Sequence, residues 1–352
     1  MPGADILLAS MALKRSRPIR AISSEVALIE AIRQKDRVGS RWVPLGIGDD
    51  CAVLRPRSGF EICVTTDFTL ENAHFRRAWH PPESVGHRCL ARGLSDLAAM
   101  GAEPMAVFLS LAIPSRLPGA WVERFLNGFL ALAQRYDVPL AGGDTAQSPA
   151  MPRSGDGLIV ADVIAVGQTP RGKALLRSGA QPGDFLYVTG ALGGAAAELA
   201  ALAKSPEKFR RLTRAEPVHP HLYPEPRIAV GRRLRGLAHA AIDVSDGLST
   251  DLTHLCEESG VAAVIEEAAL PVHSLAGQRT DAIDVALNGG EDYELLFAAA
   301  PGARVPRSIA GVAIHRIGRL VRQPGRVRAL IKMQTAEGRE LSVPAWGWDH
   351  FR

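Results

Sequence analysis

Two periods organise the apolar positions of this chain, one near 2 and one near 3.6, and they alternate along its length. Residues 61–67 (EICVTTD) read as a strand. Residues 82–100, opened by Pro81-Pro82-Glu83, read as a helix with Leu90, Leu94, Leu97 and Gly101 spaced by 4, 3 and 4. MAVFLSLAI (105–113) predicts a strand, WVERFLNGFLALAQRY (121–136) a long amphipathic helix, VPLAG (138–142) a short strand and GLIVADVIAVG (157–167) another.

A Gly-, Pro- and Arg-rich stretch, TPRGKALLRSGAQPG (169–183), marks a hinge. Beyond it the pattern predicts a strand at DFLYVTG, a small-residue helix at GGAAAELAALA, a proline-marked irregular stretch over 216–226 and a helix over 227–238. The strand AAIDV, a helix over 248–258 and strands near 261–265 and at YELLFAA follow. Neither half carries the regular short βα repeat of a barrel. The expectation is an α+β chain of mixed α/β character, with domains at 21–168 and 169–352 behind a disordered basic extension at 1–20. The Arg-rich run 316–328 reads as a solvated loop, and there is no fixed-period repeat.

Composition narrows the class. With 352 residues and 47% hydrophobic content the chain can bury a core, so global disorder is excluded. Lys and Arg number 41 against 37 Asp and Glu, a net +4, and the positive charge clusters only in short runs, so a polycationic nucleic-acid binder is not indicated. Cys51, Cys63, Cys89 and Cys256 form no C-x-x-C pair, which argues against zinc and a disulfide framework and for reduced, mostly buried thiols. In the N-terminal MPGADILLASMALKRSRPIR the basic residues follow the apolar stretch, the reverse of a secretory signal. No window approaches 18 uninterrupted apolar residues, so a cytoplasmic, non-membrane protein is expected.

The chemistry-bearing signal is a series of carboxylates beside glycine at strand ends. They are Asp49-Asp50 in GIGDDCAVL, Asp67 in VTTDF, Asp96 in GLSDLAAMG, Asp144 in LAGGDT, Asp243 and Asp246 in IDVSDGLS, and Glu291-Asp292 in NGGEDYELLF. Carboxylates brought together repel, so they protonate or bind a cation. Oxygen donors alone, Thr65, Thr66 and Ser245 included, suit Mg²⁺ rather than zinc. Glycine beside the acid, as at Asp49, Asp144, Asp246 and Glu291, lets backbone approach an anion, so acid plus glycine reads as metal plus phosphate. Plainer readings stand beside these. Asp49-Asp50 and Asp144 also suit turns, and Asp246 suits a helix N-cap. Asp96 shares an apolar helix face with Cys89, Gly93 and Met100, where the structural alternative is a salt bridge to Arg88 or Arg92. TGALGG (189–194) lacks both phosphate-loop signatures and reads as a tight strand-to-helix turn. His74 fits a structural hydrogen-bonder as well as a ligand contact, and Arg177 a surface charge as well as a phosphate fork.

Taken in order, GIGDDCAVL, TTDFTLENAHF, LSDLAAMGAEP, AGGDT, ALLRSGAQPGD, IDVSDGLSTDL and NGGEDYELLF resemble the thiamine-monophosphate kinase family over about residues 21–352, as does the terminal WDHF. Broader relatives with the same two-domain fold are aminoimidazole ribonucleotide synthetase, selenophosphate synthetase and the hydrogenase-maturation ATPase. LSDLAAMGA and GGEDYEL therefore carry the specific likeness.

The resemblance implies ATP-dependent phosphorylation of thiamine monophosphate to thiamine diphosphate, with several Mg²⁺ ions, on an aminoimidazole ribonucleotide synthetase-like fold. The N-terminal domain would bind metal and ATP and dimerise through its sheet; the C-terminal domain would complete the site. Asp50, Thr65, Thr66, Asp67, Asp96, Asp144, Asp243 and Asp246 are the implied Mg²⁺ ligands. Tyr136, Gly143, Asp144, Arg177 and Ser245 are the implied ATP contacts, and His74, Glu291 and Trp348 the implied thiamine-monophosphate pocket. No protein nucleophile or general base is assigned, because an ionised phosphate oxygen of the substrate attacks in line. A ring-closing or selenophosphate synthetase-like enzyme and a non-catalytic nucleotide-binding maturation partner are the alternatives. The chain departs from the family at Phe68, at Asn72 and at Thr145-Ala146-Gln147 after Asp144.

Overall fold

The computed structural model describes residues 25–36, 39–151, 156–209, 219–323, 325 and 329–349. The expected extension at 1–20, the first residues of the irregular stretch at 216 and part of the terminal WDHF lie outside these. Along the first half run α1 (Glu25–Lys35), β1 (Phe60–Leu70), α2 (Pro82–Ala99), β2 (Glu103–Ile113), α3 (Gly119–Arg135), β3 (Leu140–Gln147) and β4 (Val160–Pro170). The strands form one sheet in the order β1-β4-β2-β3. Only β2 and β3 are parallel, and α3 is the crossover that parallel neighbours need.

The second half continues with β5 (Phe185–Thr189), α4 (Gly194–Lys204), α5 (Ile228–Leu234), β6 (Ala240–Val244), α6 (Leu248–Ser259), β7 (Val261–Glu266), α7 (Ser274–Gly277) and α8 (Ala282–Asn288). It ends with β8 (Glu294–Ala299), β9 (Ser308–Ile309), β10 (Val312–Arg322), β11 (Ile331–Gln334) and β12 (Glu340–Val343). These strands build an eight-stranded sheet ordered β12-β11-β7-β10-β5-β8-β6, with β9 on β10.

The Arg-rich run corrects the expectation of a loop. Through Arg322 it is β10, paired with β5 on one side and β7 on the other. Ile314, Ile317 and Leu320 are buried while Arg316, Arg319 and Arg322 point out. A register shift between Arg316 and Gly318 breaks the alternation, which is why a period-2 pattern is hard to see there.

Helix α2 is the axis of the molecule. Pro82 starts it at a position where a missing N–H costs nothing. Gly101, left-handed at φ 64°, ends it, and Ala102 N–H returns to Leu97 O at 2.8 Å. Its backbone meets α3 almost directly: a Cβ on Gly86 would lie 1.9 Å from Phe125 O, and one on Gly128 1.9 Å from Glu83 O. It meets α5 as closely, since a Cβ on Gly231 would lie 1.9 Å from Ala98 O. One hydrophobic core therefore runs from Leu94, Phe125 and Val163 through to Phe297 and Ile314 in the second half. Among the described residues no helix is long and apolar enough to cross a membrane. The four cysteines are free; Cys89 and Cys256 are buried, Cys63 is half-buried and Cys51 is exposed, so two of the four are the buried thiols expected.

Candidate active site

Alternation along β1 decides where its polar residues go, because neighbours on a strand face opposite sides of the sheet. Thr65 and Asp67 face α2: the Thr65 hydroxyl donates to Asp96 Oδ2, and Arg92 Nε is 3.6 Å from Asp67 Oδ1. Thr66 faces away, donating to Asp162 Oδ1 at 2.7 Å. Ladder pairs Phe68–Asp162, Ser110–Asp162 and Ser110–Asp144 place Asp144 on that same outer face. The TTD motif is thus split across the sheet.

On the inner face, spacing by four sets Arg88, Arg92 and Asp96 on one side of α2, aimed at the second half of the chain. There β6 carries Asp243 one residue before its end, and its Oδ2 accepts from Ser95 Oγ at 2.7 Å. Burial first, and then the charge of Asp96, push Asp243 and Asp67 each up to about 7; burial also raises Asp96. These acids repel one another in a buried cleft.

A cavity of about 470 Å³ lies between the halves, and it brings together Asp67, His74, Ser245, Asp246, Glu291 and Trp348. Ser245 and Asp246 sit on the β6–α6 turn, their backbone N–H groups both held by Asp251 Oδ2 at 3.0 Å. Glu291 lies in a left-handed conformation at φ 69°, its N–H bonded to Ser245 O at 2.7 Å. Arg88 Nη2 reaches Glu291 Oε1 at 2.5 Å, and His221 Nδ1 stands 3.1 Å from Oε2. Burial raises the Glu291 pKa, but Arg88 and His221 outweigh it and hold the carboxyl well below the usual range. The C-terminal segment closes one side, with Trp348 N–H on Asp246 O at 2.9 Å and the ring half exposed. His74 Nδ1 accepts the Leu70 N–H at 2.9 Å, which fixes its ring.

A neighbouring cavity of about 380 Å³ is lined by Thr65, Asp96, Arg177 and Asp243. Asp50, Thr66, Tyr136, Gly143 and Asp144 line neither cavity. Asp50 is on an exposed loop. Gly143 is needed for close strand packing, since a Cβ there would lie 1.9 Å from Leu109 O. The Tyr136 hydroxyl is committed to Glu225 Oε1 at 2.5 Å and Pro226 O at 2.6 Å, where it clasps the two halves. Among the described residues no three acidic, histidine or cysteine side chains are gathered as a preformed metal cage. At TGALGG the turn is filled from within: Asp292 accepts Gly193 N–H at 2.6 Å and Ala195 N–H at 3.0 Å, taking the place an anion would occupy.

Sequence reasoning did not single out Asp162, His80, His221 or Tyr293, and treated Arg88 and Arg92 only as partners of Asp96. The four-residue spacing from Arg88 to Asp96 was the available signal. His80 and His221 meet across 141 positions, which no local pattern announces.

The fold and this cleft define a class. The family model for the AIR synthase related protein, N-terminal domain, matches residues 48–172, and that for the C-terminal domain matches 181–329. Thiamine-monophosphate kinase of Salmonella typhimurium is 36% identical over 332 residues, 93% of this chain and 98% of that protein. The crystal structure of thiamine-monophosphate kinase from Stenotrophomonas maltophilia superposes with TM-score 0.72 at 35% identity, covering 91% of this chain and 96% of that one. A solved structure of AaThiL complexed with AMPPCP and TMP gives TM-score 0.68 at 29% identity, with 92% and 97% covered. The chain belongs to the thiamine-monophosphate kinase family.

Proposed function

We propose that this chain transfers the γ-phosphoryl group of ATP to thiamine monophosphate, giving thiamine diphosphate and ADP. The observation that carries the reading is the 470 Å³ cavity, in which Asp67, His74, Ser245, Asp246, Glu291 and Trp348 converge in a member of this kinase family. The relative solved with AMPPCP and TMP supports the pairing of a nucleotide with a second phosphorylated ligand.

In this reading Trp348 offers an aromatic face to the cationic thiazolium or the pyrimidine, and the ionised Glu291 complements the same ligand's positive or N–H groups. His74 borders that ligand, while Ser245 and Arg177 face the nucleotide. A phosphate oxygen of thiamine monophosphate attacks the γ-phosphorus as the bond to ADP breaks, so no protein nucleophile takes part. Positioning and charge compensation are then what the protein contributes.

The donor set fits magnesium: Asp67, Asp96 and Asp243 are oxygen donors crowded in a buried cleft, two of them pushed up to about 7 by burial and mutual repulsion. Asp67, Asp96, Asp243 and Asp246 are the residues that would hold it from the inner face. Bound there, magnesium would neutralise and align the polyphosphate oxygens. Asp50, Thr66 and Asp144 enter only if the open sheet face meets another surface, and we assign that surface to a second copy. Ile62, Val64 and Phe68 are 43%, 63% and 58% exposed there.

The test is direct. Purified chain, ATP, magnesium and thiamine monophosphate should yield thiamine diphosphate and ADP in equal amounts; folded protein that releases phosphate without forming thiamine diphosphate would overturn the reading.

A further inference from the structure

Beside the Glu291 carboxylate, on the wall of the same cavity, lies a pair of buried histidines that none of the roles above uses. His80 comes from the segment between β1 and α2, His221 from the segment before α5, and the two are only 3% and 1% exposed. The Arg76 N–H donates to His80 Nδ1 at 3.1 Å, and His80 Nε2 is 3.0 Å from His221 Nε2. His221 Nδ1 then stands 3.1 Å from Glu291 Oε2, close to the carboxylate though outside hydrogen-bond geometry.

Burial, with Arg88 nearby, lowers both histidines, His80 to about 2, so each ring is neutral and carries one N–H. Two arrangements of those protons exist. In the first, His80 Nδ1 accepts from Arg76, His80 Nε2–H donates to His221 Nε2, and His221 Nδ1–H faces the carboxylate. In the second, His80 Nδ1–H turns to Arg76 O at 3.2 Å. That order reverses every link: the Arg76 N–H meets another N–H, and a His221 lone pair faces an ionised carboxylate. The first arrangement pairs Arg76 N–H with His80 and His80 with His221 and turns an N–H toward the carboxylate 3.1 Å away, whereas the second leaves two repulsive contacts.

We propose that His80 is a positioning residue: it fixes the His221 tautomer and, through it, the orientation of the Glu291 carboxylate toward the bound thiamine ring system. The role of Glu291 in this statement rests on the proposed function. The left-handed backbone of Glu291 and the Arg88 contact hold one side of the carboxylate, and the histidine pair faces the other with Nδ1 at 3.1 Å. A side chain from each half of the molecule thus meets at one substrate-facing group.

Two measurements on the full chain test it. ¹⁵N-histidine NMR of the ligand-free protein should show His221 protonated on Nδ1. It should remain so in His80→Gln, whose amide N–H still donates, and be lost or mixed in His80→Phe. In steady-state assays His80→Phe should raise KM for thiamine monophosphate roughly tenfold, the size of one lost oriented hydrogen bond, with KM for ATP and kcat little changed. His80→Gln should recover most of that loss. In a Glu291→Gln background His80→Phe should add nothing. A wild-type His221 protonated on Nε2, or an equal KM penalty with and without Glu291, overturns the proposal. An inactive wild type would defeat the kinase reading alone, and the NMR result would still decide the tautomer.

Discussion

At the scale of single residues, the site is a conflict kept unresolved until ligands arrive. Asp67 and Asp243 sit near 7 because burial and Asp96 penalise their charge, against an ordinary value of 3.8. A carboxyl raised on folding favours the folded state below its unfolded pKa, and that contribution is lost as pH rises through the folded value. With magnesium chelated, the wild type should therefore lose stability from about pH 4 to 7. Asp67→Asn removes the repulsion, so in chelator at pH 8 it should be more stable than wild type by about 1–3 kcal/mol, while gaining less Tm on adding magnesium. Thermal melts in EDTA and in magnesium check both; an Asn variant that melts below wild type in EDTA would remove repulsion as the governing effect. Trp348 makes a separate residue-scale case. Its ring borders the cavity and its backbone is pinned to Asp246, so Trp348→Ala should leave the fold intact. KM for thiamine monophosphate should rise about 5- to 30-fold, a cation–π contact's worth, with KM for ATP unchanged. A variant with wild-type KM would take Trp348 out of the pocket.

At the scale of elements, close approach of backbones matters more than any one side chain. The α2–α3 crossing depends on Gly86 and Gly128, where a methyl group would strike a carbonyl oxygen at 1.9 Å. Backbone cannot yield as a flexible side chain does, so Gly128→Ala should cost about 3 kcal/mol or more, at the upper end of overpacking losses. Urea unfolding measures it, and a loss under 0.5 kcal/mol, the ordinary surface value, would show that the helices part easily. The same scale shows what the sequence could reveal. The elements from β1 to β8 that carry long runs with one period were legible, because burial of one face writes itself into the spacing of Leu90, Leu94 and Leu97. Strand β10 was not, because a register shift at Ile317 interrupts its alternation and its arginines read as solvent. The acids of the site were legible as an ordered series rather than one by one, since a turn or an N-cap explains Asp144 or Asp246 singly but not the whole set. Their division between two sheet faces follows from period 2 at Thr65, Thr66 and Asp67, but which face holds the ligand depends on α2 packing and not on the motif. His80 and His221 were illegible because their pairing exists only after the halves dock.

For the whole molecule, the halves are joined too firmly to move freely, yet the first sheet is left incomplete. Ser95–Asp243, His87–Pro224 and Tyr136–Glu225 bond one half to the other around α2 at 2.7, 2.8 and 2.5 Å. Helices α2 and α3 cover the inner face of the β1-β4-β2-β3 sheet. On its outer face Val43, Ala52 and Leu54 pack over Ala106, Ala141 and Val166, which shelters the β2–β3 side. Among the described residues the β1 side keeps no such cover: Ile62, Val64 and Phe68 alternate outward along an edge strand, an arrangement normally blunted with charge. A second copy placed face to face would bury this row and bring a further surface against Thr66 and against Asp144 and Asp162, the acids on the outer side. An isologous pair of this kind needs only one self-complementary patch. Val64→Arg puts a charge at the middle of the row, and light scattering should show a dimeric wild type become a monomer. Because α2 and the inner cleft are untouched, the variant should still melt cooperatively. If Asp144 acts only across the paired face, monomer formation and loss of kinase activity should fall together with protein concentration. A wild type that is monomeric at micromolar concentration and fully active would separate the outer acids from catalysis altogether.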